Sequence, residues 1–177
     1  MRWFWIDRFE EFVVGKQATA LKNVTYSEEP IDDYLPGRPH YPHSLIIEGM
    51  AQTGGILIAQ MQDFHPKVVL AKIGKAEFNS IVVPGDQLRM TAKLMSLQSD
   101  GAIIEGHVTV NHQPLAEMEL AFGILDDSFG DTSFFLPGGF FRILRSLRLF
   151  EVARHEDGSP IQIPDYMLEA VRQEAAQ

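Results

Sequence analysis

One carboxylate, Glu48, stands inside the most apolar stretch of the chain, and two imidazoles, His40 and His43, precede it closely. An imidazole titrates near neutral pH and exchanges protons there. A carboxylate taken out of water has its charged form penalised, so its pKa rises toward the range useful for acid–base work. Together such groups can serve as general acid and general base toward a bound substrate. Each also has a plainer reading. Glu48 can be a charge on a solvated helix face, and His40 and His43 can be ordinary loop histidines. Against the plain reading of Glu48, residues 45–47 and 49–51 are all apolar or small and leave it no polar face to join. The remaining histidines, His65, His107, His112 and His155, show no mutual spacing that suggests metal ligands, and no metal site is expected.

Two elements must position these groups. The first is a turn carrying Pro36, Pro39 and Pro42, a density that excludes helix and strand alike. The second is the run from Leu45 to Met61, apolar on nearly every side, which predicts a buried helix with Ser44 as its N-cap. Gly54 and Gly55 lie inside that helix, where each costs about 1 kcal/mol against Ala. Either they admit another backbone at close range, or they mark a kink.

Around this centre the period changes to two. Residues 15–25, 68–78, 87–97, 102–110 and 115–125 read as strands, and residues 3–6, continued by Phe9, Phe12, Val13 and Val14, as a short strand or packing anchor. Pro84-Gly85-Asp86, Ser99-Asp100-Gly101 and the stretch from Asn111 to Pro114 read as turns. A strand, a loop, one long helix and then a meander make an α+β domain. We assign residues 1–126 to it and residues 127–177 to a partly helical C-terminal extension. In the extension Arg142, Arg145 and Arg148 recur every third residue. They form either a basic stripe for an acidic partner or the solvated side of a packing helix.

At 177 residues and 45% hydrophobic, the chain has ample material for one core. A net charge of -9 argues against nucleic-acid binding by the surface as a whole. No stretch reads as a signal peptide or membrane span. The absence of cysteine removes disulfides and thiol chemistry and fits a reducing cytoplasm.

The segment PGRP, then Pro42, then LIIEGMAQTGG resembles the signature of the 3-hydroxyacyl-acyl carrier protein dehydratases of the FabZ/FabA type. KNVT at 22–25 and VVPGDQLRM at 82–90 resemble further landmarks of that family, in the same order. The resemblance implies a hotdog fold, an antiparallel sheet wrapped around one long helix, over roughly residues 5–125. It implies acyl thioester substrates carried by acyl carrier protein or coenzyme A, no cofactor, and a homodimer or a larger even-numbered assembly. It places Glu48 on the family's helix carboxylate and Gln52 on its glutamine, with Pro42 before the backbone that binds the thioester oxygen. Two positions depart. The family's catalytic histidine is Tyr34 here, and the glycine after Pro42 is His43. Tyrosine, with a pKa near 10, can donate a hydrogen bond or a proton but is a poor base. Three activities are therefore open. One is a dehydratase in which His43 or His40 supplies the imidazole. Another is a thioesterase in which Glu48 alone activates water. The third is an acyl-binding partner subunit without catalysis.

Overall fold

The computed structural model describes residues 4–28, 31, 37–65, 67–125 and 136–175. Strands β1 (Arg8–Val13) and β2 (Gln17–Asn23) precede the central helix α1 (His43–Gln60). Then come β3 (Lys67–Phe78), β4 (Gln87–Leu97), β5 (Gly101–Val110) and β6 (Gln113–Leu125). The extension supplies α2 (Pro137–Ser146), α3 (Leu149–Val152), β7 (Ala153–Arg154) and α4 (Asp165–Ala175). Seven strands form one sheet in the order β3-β6-β5-β4-β2-β1-β7. All neighbours are antiparallel except β1 and β7.

Turn chemistry sets the meander. Gly85 takes φ +100°, and Asp86 Oδ2 accepts the Val83 N–H at 2.9 Å. Between β5 and β6 the turn is tighter than the sequence suggests. Asn111 and His112 alone make it, both in the left-handed region that suits a two-residue hairpin. Pro114 already lies within β6, opposite Thr109 beside a register shift, where a missing donor is tolerated.

The concave face of the sheet receives α1. Ile46, Met50, Thr53, Gly54 and Leu57 recur at helical spacing and are fully buried against it. The small helix residues let the sheet come close. A Cβ at Gly54 would sit 3.2 Å from Ile104 and 3.3 Å from Phe122, so the close approach there is by side chains. The reciprocal case is Gly106 on β5, where a Cβ would meet Met50 Sδ at 2.9 Å. The helix is not buried all round, contrary to the expectation from its composition. Ser44 is exposed and Glu48 and Gln52 are half-buried, a stripe at a spacing of four.

The extension packs onto the same core. Leu144, Leu147, Leu149, Ala153, Ile161 and Met167 are buried within it. It also closes the outer side of β1. The Phe9 N–H bonds Leu147 O at 2.8 Å, the Val14 N–H bonds Arg154 O at 3.0 Å, and β7 pairs with Phe12 and Val13. Phe64, just past α1, is gripped by Phe140 and Phe150 at ring distances of 6.0 and 6.2 Å. Among the described residues no helix is long and apolar enough to cross a membrane.

Candidate active site

Pro42 starts the central helix. Its fixed φ of -60° and extended ψ let the chain turn helical at His43, one residue before the predicted cap. Its carbonyl accepts the N–H groups of Leu45 at 3.0 Å and Ile46 at 3.4 Å. No side chain caps this end. Ser44 lies inside the helix and is exposed, so it cannot serve as the cap the sequence suggested. The uncapped first turn presents backbone N–H groups and the positive end of an 18-residue helix dipole.

Glu48 lies in the second turn, one turn beyond Ser44 on the half-buried stripe. Its carboxylate is held in place. Gln52, one turn further on, donates from Nε2 to Glu48 Oε1 at 3.0 Å. Gln52 Oε1 in turn accepts the backbone N–H of Trp5 at 2.9 Å. The Trp5 peptide can come this close because residue 49 is glycine. A Cβ there would lie 3.0 Å from the Trp5 carbonyl oxygen and 3.0 Å from Met90 Sδ. Sequence reasoning missed Trp5. It is 47 residues from its partner and contributes only a main-chain group, which leaves no residue-type signal. Gly49 was the available clue, a glycine in a helix with no turn to make.

The two candidate imidazoles are engaged elsewhere. The His43 ring stacks on Phe78 with centroids 4.0 Å apart, and its Nε2 lies 3.1 Å from Ser80 O. That holds it on the β3 side of the helix start. His40 Nδ1 lies 3.2 Å from the carbonyl oxygen of Arg38, within its own loop. Tyr34 lies outside the described residues, as do Pro36, Phe134 and Phe135. Between the histidines, Tyr41 is buried to 1% exposure and fixed by its N–H to Val82 O at 2.7 Å. Its hydroxyl is buried without a hydrogen-bond partner among the described residues. Burial, reinforced by Glu28 and Asp7, pushes its pKa up. Lys22 pairs with Glu28 at 3.1 Å and Asp7 at 3.5 Å, offsetting one of the two negative charges.

The arginine stripe is partly spent. Arg142 pairs with Glu174 and Arg148 Nε donates to Glu151 at 2.7 Å. Among the described residues no cluster of histidines and acids is arranged to hold a metal ion.

A sheet wrapped around one long helix, with a carboxylate fixed near the uncapped end of that helix, defines a hotdog fold. The chain belongs to the FabA-like domain family, which matches residues 3–119. It is 36% identical over 121 residues to the 3-hydroxyacyl-[acyl-carrier-protein] dehydratase FabZ of Clostridium acetobutylicum, covering 68% of this chain and 86% of that one. Among solved structures it resembles the dehydratase heterocomplex ApeI:P from Xenorhabdus doucetiae, with a TM-score of 0.58 and 13% identity over 79% of this chain and 88% of that one. It also resembles a hypothetical thioesterase with coenzyme A from Streptococcus pneumoniae, with a TM-score of 0.54 and 9% identity over 67% and 84%. At those identities the two structures speak for the fold.

Proposed function

We propose that the protein acts on 3-hydroxyacyl thioesters as a dehydratase-like lyase of fatty-acid or polyketide-type metabolism, with Glu48 as its catalytic carboxylate. The observation that carries this is the fixed geometry of Glu48. It is the one acid of an otherwise apolar helix, clamped by Gln52, beside free N–H groups at the helix start. In dehydration the proton next to the thioester carbonyl passes to a base, and the C–O bond breaks. The hydroxyl leaves as water with a proton from an acid, and the enolate oxygen needs donors meanwhile. The backbone after Pro42 supplies those donors, and Glu48 acts on the hydroxyl side. Tyr34, His40 or His43 supplies the second group, which the contacts of His43 within one chain do not deliver to Glu48.

A homodimer answers this. At β3 the sheet ends in a strand of 12 residues that exposes Leu70 and Ile73. Pairing of two such edges continues one sheet across both chains. In this reading each site takes its loop from one subunit and Glu48 from the other. The substrate is carried by acyl carrier protein or coenzyme A, in the cytoplasm, and residues 127–177 form an extension to a hotdog domain of 1–126.

Crotonyl and 3-hydroxybutyryl thioesters test the assignment. The wild type interconverts them, and Glu48→Gln loses activity by about 10²-fold or more. Full turnover in Glu48→Gln overturns it. Tyr34 at the family's histidine position favours a second reading, a partner subunit that binds the thioester without turnover. Binding without hydration then replaces turnover, and release of free thiol identifies a thioesterase using Glu48.

A further inference from the structure

Beyond the family match, the extension forms an open cavity of about 310 Å³ lined by Phe141, Arg145, Arg148, Phe150, Glu151 and Ile163. Phe141, Arg145 and Arg148 follow one another at spacings of four and three, so they share one side of the α2 region. Phe141 and Phe150 form one wall, with ring centroids 5.7 Å apart. Phe150 and Ile163 remain half-exposed, open to an apolar occupant. The chain turns sharply to build this site. Arg148 holds φ +60° and ψ +20°, a left-handed conformation costly for a residue with a side chain. That strain separates α2 from α3 and brings Phe150 and Glu151 round to the same cavity as Arg145.

The charges of the lining do not cancel. Arg148 Nε donates to Glu151 Oε2 at 2.7 Å, and the two form a pair. Arg142, outside the cavity, pairs with Glu174. Arg145 has no acidic partner among the described residues and stands exposed at the cavity. The lining therefore carries one positive charge in excess above an apolar floor.

We propose that this cavity binds an amphiphilic monocarboxylate of short to medium chain, with its carboxylate on the Arg145 guanidinium and its alkyl part among Phe141, Phe150 and Ile163. A planar guanidinium fork matches a carboxylate in shape, and a single excess charge matches a monoanion. A phosphate monoester brings close to two negative charges against that one cation. The volume lies at the small end of ligand pockets, roughly 300–1,000 Å³, which selects a compact ligand. The site is independent of the proposed reaction.

Titration of the full-length protein with sodium octanoate, followed by calorimetry and by the Ile163 methyl resonance, tests the proposal. Octanoate should bind saturably and shift that methyl group. Octanol should bind at least about tenfold more weakly, and inorganic phosphate should leave the methyl unmoved. Arg145→Leu should weaken octanoate binding by about tenfold or more without changing the unfolding midpoint, since the residue is exposed. Arg142→Leu should bind as the wild type does. The proposal is overturned if octanoate shifts only the methyl groups of Ile46 and Ile47 beside Glu48. It is equally overturned if Arg145→Leu binds octanoate as tightly as the wild type, or if phosphate competes with octanoate for the Ile163 site.

Discussion

The two halves of the central helix do opposite things with the same kind of residue. In the first half Gly49 makes room for a peptide group, the carbonyl of Trp5, and with it the hydrogen bond that fixes Gln52 and Glu48. In the second half Gly54 makes room for the side chains Ile104 and Phe122, and nothing polar depends on it. A small residue in a helix thus serves geometry of function at one end and density of packing at the other. Position along the helix alone does not tell which.

Substitution by alanine separates the two. Gly49→Ala should have the larger effect. The Met90 thioether can move aside, but the Trp5 carbonyl belongs to the main chain and must shift as a unit. The displaced Trp5 N–H releases Gln52, and a misplacement of that size costs up to about 10²-fold in turnover. Steady-state rates on a 3-hydroxyacyl thioester measure it. A variant as active as the wild type would erase the distinction between the halves. Gly54→Ala should instead lose about 1 kcal/mol of stability, the overpacking of buried Ile104 and Phe122 outweighing the better helix propensity of alanine. Its activity per folded molecule should be unchanged. Urea denaturation followed by circular dichroism reads the first quantity, and rates at low urea read the second.

A third substitution probes the loop that feeds the first half. Tyr41→Phe removes a buried hydroxyl that has no hydrogen-bond partner among the described residues, so stability should rise by about 1 kcal/mol. If turnover falls while the denaturation midpoint rises, the hydroxyl was retained for chemistry. The smallest effect belongs to Gly55→Ala. Its Cβ would meet Phe122 at 3.6 Å, an ordinary contact, so the propensity gain should survive at about half a kcal/mol or more. A loss there would mean that the second half has less room than the static distances show.

The helix and strands β2 to β6, in chain order, were legible from local pattern and turn residues, whereas the first strand was read as beginning at residue 3 and β7 was not read. Leu45 to Met61 is too apolar to be anything but a core element, and β4 to β6 alternate between short turns. The start of the helix was misplaced by two residues. Ser44 has the chemistry of a cap, but Pro42 fixes the backbone first. The half-buried stripe through Glu48 was not legible, because composition cannot say which side of a helix stays partly exposed. Glu48 could be singled out as a lone charge. Its clamp could not, since Gln52 reads only as a polar neighbour until the Trp5 peptide arrives from 47 residues away. The contacts of His43 were equally hidden. Stacking on Phe78 depends on where β3 ends relative to the helix, a tertiary distance with no trace in either residue.

The unequal edges of the sheet have a consequence for growth. On the β1 side the outward N–H groups of Phe9 and Val14 are already taken by Leu147 and Arg154, and β7 lies alongside. On the β3 side a 12-residue edge ends the sheet with only β6 beside it. A chain with two open edges can add neighbours without end and build a ribbon. Here any strand that joins at β3 belongs to a molecule whose far edge is occupied by its own tail, so addition terminates at the first step. A dimer joined at β3 would thus be closed to further strand addition, because the tail covers β1 in each chain.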